Sequence, residues 1–248
     1  MQKVLAVANQ KGGVGKTTTT INLGSALARA GYKVLLVDLD PQANTTSGLG
    51  VARPETSIYD LLFDDSKTAQ TVVDAGEVSL IPSHPNLAAA EVELVSELNR
   101  ERRLQNILQT TAFDYVLIDC PPSLGILTIN ALTAADGVLI PVQAEYYALE
   151  GLSQLVDSIQ RVRVALNPRL TISGVVLTMV DERTSLSKEV LEQVKRHFGE
   201  LVFSEFVPRN VRLAEAPSHG VSVFEHDKWS KGARAYKTIA NELVKRIG

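Results

Sequence analysis

Short, unbroken apolar runs alternate along the chain with longer segments of helical period. Val4-Leu5-Ala6-Val7-Ala8, Val34-Leu35-Leu36-Val37, Val78-Ser79-Leu80-Ile81, Tyr115-Val116-Leu117-Ile118, Val138-Leu139-Ile140 and residues 172–179 read as strands. Runs this short, and apolar at nearly every position, suit strands buried on both faces. Between them the spacing predicts helices over about 17–30, 100–110, 126–134, 149–165, 186–198 and 231–246, with Gly31 placed to stop the first. In the last helix Tyr236, Ile239, Ala240, Leu243, Val244 and Ile247 form one stripe at i, i+3, i+4 spacing. That stripe reads as a core contact rather than a membrane anchor. The alternation predicts an α/β fold, a mostly parallel twisted sheet with helices on both faces. No repeat, low-complexity tract or linker breaks it, and Asp64–Thr68 and Pro82–Asn86 read as surface loops. Residues 1–248 are therefore expected to form one domain.

Ligands of such sheets bind beyond the carboxyl ends of the strands, so the polar residues there carry the candidate chemistry. Lys11-Gly12-Gly13-Val14-Gly15-Lys16-Thr17-Thr18 lies between the first strand and the first helix. Glycines let backbone N–H groups turn inward onto phosphate oxygens, and the helix start adds its positive dipole end. Lys16 can neutralise β- and γ-phosphate charge, and the Thr17 hydroxyl can ligate Mg²⁺. The strict P-loop pattern fails at one residue, since Gln10 stands where it requires glycine.

Asp119, directly after Tyr115–Ile118, has the context of a Walker-B carboxylate that holds Mg²⁺ through water. Pro121 and Pro122 stiffen the turn behind it, as suits a loop whose position reports the γ-phosphate. Cys120 reads as a packing residue, because no partner base is implied. Asp38 and Asp40 end the second strand. Two apart on extended chain, both carboxylates can face the nucleotide, one on Mg²⁺-bound water and one on the attacking water. A helix cap or turn is the competing account.

Composition narrows the setting. With 45% hydrophobic and 21% charged residues, the 248-residue chain can bury a core. The single cysteine excludes an internal disulfide or a zinc site of thiolates and fits a reducing cytoplasm. There is no run of 18 apolar residues, and Met1-Gln2-Lys3 passes straight into the first strand. Neither a signal peptide nor an N-terminal helix-turn-helix is expected. Residues 1–150 hold 10 Lys+Arg against 17 Asp+Glu, whereas 151–248 hold 15 against 11. The C-terminal excess permits a polyanion-binding face within a chain of net charge −3.

Together these residues resemble the ParA/Soj family of partition ATPases, within the MinD/ParA group of P-loop proteins. The resemblance runs through Asn9–Thr18, Val37–Gln42, Asp119–Ser123, Pro141–Gly151 and Pro208–Ser218, nearly the whole chain, and Gln10 is usual in that family. It implies an ATP- and Mg²⁺-dependent homodimer with slow intrinsic turnover, cytoplasmic and nucleoid-associated. Such a dimer binds double-stranded DNA without sequence preference and releases it on hydrolysis stimulated by a ParB-type centromere-binding protein. By the same resemblance Lys11 is the signature lysine that reaches the partner's phosphates. Asp40 serves hydrolysis, Asp119 is the Mg²⁺-side acid, and Pro208 and Asn210 receive adenine. Arg183 and Arg212 touch DNA. Ala43 departs from the family, where many relatives have glycine, which bears on switch-loop mobility.

Rival functions meet specific objections. A MinD-like membrane ATPase would carry an amphipathic extension beyond the last core helix, and the chain stops at Gly248, so no stable membrane anchor is expected. An iron–sulfur protein bridging two subunits needs two cysteines per chain. A GTPase would show Asn/Thr-Lys-x-Asp after a late strand. Regulation of replication initiation remains a variant of the leading reading.

Overall fold

The computed structural model describes residues 2–145, 150–181 and 183–248. Its strands are β1 (Lys3–Val7), β2 (Val34–Asp38), β3 (Val73–Ala75), β4 (Val78–Ile81), β5 (Tyr115–Asp119), β6 (Gly137–Gln143) and β7 (Thr171–Thr178). They form one sheet in the order β3-β4-β2-β5-β1-β6-β7, parallel throughout except for β3 against β4. The helices are α1 (Lys16–Arg29), α2 (Asn44–Gly48), α3 (Ile58–Phe63), α4 (Thr68–Thr71), α5 (Leu87–Glu93), α6 (Arg103–Gln109), α7 (Ile126–Ala134), α8 (Glu150–Ala165), α9 (Ser185–Phe198), α10 (Val211–Glu215), α11 (Val223–Asp227) and α12 (Lys231–Ile247).

The expected α/β class and the mostly parallel sheet are both present. Period-two alternation divides β1 between two cores: Val4 and Ala6 face the core under α3 and α5–α9, and Leu5 and Val7 the one under α1, α11 and α12. Both faces are covered, which is why the strands carry apolar residues at every position. In α12 the stripe does what its spacing predicts: Tyr236, Ile239, Ala240 and Leu243 are buried, with Val244 and Ile247 packed against them. The Tyr236 hydroxyl meets Thr19 Oγ1 at 3.1 Å, tying α12 to α1.

The helix expected over 100–110 starts later. Asn99 takes φ 54° and opens a 3₁₀ turn over Arg100–Arg102, so the α-helix begins at Arg103. The start expected at 149, like Tyr146–Leu149 of the family motif, lies outside the described residues. Edge strand β3 and the short helices α2–α5, α10 and α11 were not expected. Each is too short to show a period.

Candidate functional site

The strand order brings the ends of β1, β2 and β5 together, because β5 lies between the other two. Val7 pairs with Asp119, and Asp38 with the same Asp119. The loop after β1 therefore opens beside Asp119, which ends its neighbour β5, with Asp38 ending β2 one strand further along. The Asn9 side chain braces the loop, accepting from Lys11 N at 2.9 Å and donating to Pro141 O at 2.7 Å. Gly13 and Gly15 have φ of 72° and 89°, where a side chain is strained. A Cβ on Gly12 or Gly13 would meet no atom within 4 Å, so the glycines line an open cradle. Val14 is buried, and its carbonyl accepts from Thr178 Oγ1 at 2.8 Å. No side chain caps α1, whose first N–H groups point at the cradle free to meet an anion.

Lys16, Thr17 and Thr18 open that helix. Lys16 is buried, and its Nζ donates to Lys11 O at 3.3 Å. Burial lowers the pKa of its ammonium, while Asp119, Cys120 and Asp40 act in the opposite direction. An anion in the cradle would restore what burial costs this charge. Lys11 lies at the rim, half exposed, with Nζ 3.6 Å from Glu145 Oε2.

Asp119 receives the Thr17 hydroxyl at 2.8 Å and the Thr45 hydroxyl at 2.7 Å, both on Oδ2. Its Oδ1 is buried and has no hydrogen-bond partner. Burial above all pushes this carboxyl up to about 6. An orphaned carboxylate oxygen beside two hydroxyls is a hard-oxygen donor set, and it fits Mg²⁺ held directly or through water. Among the described residues no cluster of three or more His, Cys, Asp or Glu could hold a metal alone.

The two carboxylates after β2 separate. Asp40 is almost buried, and its Oδ1 accepts from Gln42 N at 2.9 Å. It lies near enough to Asp119 and Lys16 to act on the charge of each. Asp38 does not join it. Its Oδ2 accepts from Thr46 N at 2.8 Å and from Thr46 Oγ1 at 2.6 Å, so it anchors α2. The expectation that both face the nucleotide is corrected: Leu39 N still bonds Asp119 O as the chain passes Asp38, but Thr46 N–H and O–H take up the Asp38 carboxylate. Burial, then Asp119, raises it to about 7. Thr45 and Thr46 were missed by sequence reasoning, and the one available signal was a polar Asn-Thr-Thr run following Pro41-Gln42.

Beside the cradle is a cleft of about 210 Å³ whose lining includes Gly15, Thr18, Met179, Pro208, Asn210 and Tyr236. Both residues assigned to adenine are there. Pro208 bridges to Val180 beyond β7, and Asn210 caps α10 through Arg212 N at 2.9 Å. Met179, at φ 53°, carries left-handed strain at the cleft wall and was not foreseen.

The two arginines assigned to DNA are not joined to each other by any described contact. Arg183 has an 88% exposed side chain and forms a bidentate pair with Asp181, at 2.9 and 2.8 Å. Arg183 holds the Asp181 carboxyl down at about 2. Arg183, Arg209 and Lys231 share a shallow cleft with Pro208. Arg212 pairs with Glu215 at 2.8 Å and Asp227 at 3.5 Å. Cys120 is buried with its thiol pushed far up, chiefly by burial, as expected of a packing residue.

A family model described as an AAA domain matches residues 2–172. The chain is 51% identical to the sporulation initiation inhibitor protein Soj of Bacillus subtilis, over 98% of this chain and 99% of that one. It is 49% identical to the chromosome partitioning protein ParA of Caulobacter vibrioides, over 98% and 94%. The chain belongs to the ParA/Soj family. Among solved structures, cobyrinic acid a,c-diamide synthase from Mycobacterium smegmatis with bound ADP and magnesium is 40% identical, with a TM-score of 0.87 over 99% of this chain and 95% of that one. The same protein with bound ATP analog and magnesium also gives 0.87, at 39% identity. In the loop after β1 the buried Nε2 of Gln10 has no partner among the described residues.

Proposed function

We propose that this protein is a chromosome- or plasmid-partitioning ATPase. It binds ATP and Mg²⁺ as a monomer, dimerises on the nucleotide, holds DNA without reading bases, and lets go on hydrolysis. The observation that carries the ATP site is the unpartnered Asp119 Oδ1, beside Thr17 and at the open end of an uncapped α1. Lys16 and the N–H groups of Gly12–Thr18 bind and orient the phosphates. The cleft at Pro208 and Asn210 takes the base. Mg²⁺, when bound through Thr17 and Asp119, would draw charge off the transferring phosphate. Asp40 orients the attacking water, held in place by Gln42 N–H. Lys11 crosses to the partner subunit's nucleotide, so hydrolysis is complete only in the dimer.

Arg183 and Arg212 meet phosphate backbone, and a ParB-type protein stimulates hydrolysis. No helix among the described residues is long and apolar enough to cross a membrane. On this reading the dimer resides on the nucleoid. Sedimentation with ADP or a slowly hydrolysed ATP analogue, with and without random-sequence duplex DNA, tests the proposal. A dimer and a DNA complex are expected with the ATP analogue alone; DNA binding indifferent to nucleotide overturns it.

A further inference from the structure

We infer that the outer face of α5 and the turn after it are the docking surface for a cationic amphipathic segment of the hydrolysis-stimulating partner. The inference rests on the partitioning reading above.

The segment has two apolar faces. Leu87, Ala90 and Leu94 are buried in the core, as an amphipathic helix requires. Val92, Val95 and Leu98 point the other way and are 76%, 62% and 84% exposed. Ala88 and Val92 fall at i and i+4 on the outer face of α5, and Val95 follows in the 3₁₀ turn Leu94–Ser96. Large apolar side chains gathered in so short a stretch mark a contact surface. This one is held still. Arg100 donates to Val95 O, and Arg103 donates to Leu98 O while pairing with Glu97 at 2.6 Å. A fixed apolar ridge loses little freedom on binding.

Charge selects the occupant. Residues 85–99 contain Glu91, Glu93 and Glu97 and no Lys or Arg. Glu97 is paired, but Glu91 and Glu93 accept only from the Ser123 and Tyr59 hydroxyls among the described residues. An apolar ridge edged by uncompensated carboxylates complements a segment carrying Lys or Arg beside its apolar residues. A second copy of this chain fits worse, because a two-fold contact would set the same carboxylates against each other.

The ridge is also tied to both loops of the ATP site. Just before α5, Ser83 Oγ donates to Asp40 O and Ser83 N to Thr46 Oγ1, each at 2.8 Å. Further along, Glu91 accepts from Ser123 at 3.4 Å, and a Cβ on Gly125 would collide with its carboxylate. A partner seated on Val92, Val95 and Leu98 therefore bears on an element that touches the Asp40 loop at one end and the loop after Asp119 at the other.

ATP turnover of the full chain, with random-sequence DNA and a titration of the ParB-type protein from the same organism, tests this. In Val92→Ser/Leu98→Ser the partner concentration for half-maximal stimulation should rise about ten-fold or more, as for loss of a hot spot. Unstimulated turnover and ATP-dependent DNA retention should be unchanged. Glu93→Gln should raise the same concentration and weaken its dependence on salt. Equal stimulation of wild type and the double variant overturns the docking surface and leaves the partitioning reading standing. A double variant that no longer dimerises with ATP assigns the ridge to a second copy and also overturns it. A wild type that neither retains DNA nor responds to the partner overturns the partitioning reading itself.

Discussion

Lys11 Nζ and Glu145 Oε2 stand 3.6 Å apart, so the cation assigned to the partner's nucleotide rests, in the single chain, on a carboxylate of its own subunit. Arg209 shares that carboxylate from 3.9 Å. Half-exposed pairs of this kind hold by about 1 kcal/mol or less, little enough for a triphosphate to displace. Glu145→Gln should release Lys11 and favour the ATP-bound dimer by up to about five-fold, the ratio that energy allows. Lys11→Ala should keep monomer binding yet form no dimer. Sedimentation velocity with an ATP analogue reads both, and ATP-dependent dimers of Lys11→Ala would remove the cross-subunit role.

Asp40→Ala should bind ATP, turn it over at least about a hundred-fold more slowly, and accumulate as a DNA-bound dimer. Asp40 is the carboxylate left facing the site once Asp38 is committed to Thr46. Single-turnover hydrolysis measures the effect. Turnover at the wild-type rate would reduce Asp40 to a turn residue.

Asp38 and Asp119 make the nucleotide-free protein sensitive to pH. Both carboxyls are raised, to about 7 and about 6, mainly by burial. The folded chain therefore keeps protons that the unfolded chain has released. Their contribution to stability is whole below the ordinary carboxylate range and is lost as pH rises through about 6 to 7. Asp38→Asn retains an acceptor for Thr46 and removes the buried charge. It should raise stability at pH 8 by on the order of 2 kcal/mol and change it little at pH 4. Denaturant melts across pH without nucleotide check this; an equal effect at both pH values contradicts the assignment.

What could be read from the chain divides along physical lines. The six long strands follow from unbroken apolar runs, which burial on two faces imposes, and the major helices from their period. The cradle was legible as well, since glycines, Lys16 and Thr17 act through backbone geometry and fixed spacing. The fate of Asp38 was not, because it depends on Thr46 across a turn whose helix is too short to signal itself. Met179 and Tyr236 were hidden for another reason. They reach the cleft from β7 and α12, and only the folded sheet order brings those elements beside α1.

Ala43 holds a backbone conformation with a structural consequence. It caps α2 at φ 53° and ψ 37°, a left-handed conformation in which a Cβ costs roughly 1 kcal/mol. That helix presents Thr45 to Asp119 and Thr46 to Asp38. Ala43→Gly should stabilise the protein by up to about 1 kcal/mol, and Ala43→Val should cost about 2 kcal/mol. Urea midpoints decide it, and a lower midpoint for the glycine variant would refute the left-handed assignment.

DNA binding by a chain of net charge −3 has to come from local charge, and that charge is partly compensated within the chain. Arg183 reaches into solvent while doubly bonded to Asp181, and Arg212 is shared between Glu215 and Asp227. These carboxylates orient the guanidiniums but lower their net attraction for phosphate. Each phosphate neutralised releases counterions and adds about −0.9 to the slope of log affinity against log salt on duplex DNA. Arg183→Ala and Arg212→Ala should weaken binding to all sequences alike and flatten that slope, the more so because a dimer loses two contacts per substitution. Asp181→Asn should do the reverse, strengthening binding with the slope steepened or unchanged, since Asp181 is ionised at every working pH. ATP binding and dimerisation should be untouched in all three. Filter binding across a salt series, with ATP and with ADP, separates these outcomes. Arginine variants with the wild-type slope would place the DNA contact on another face.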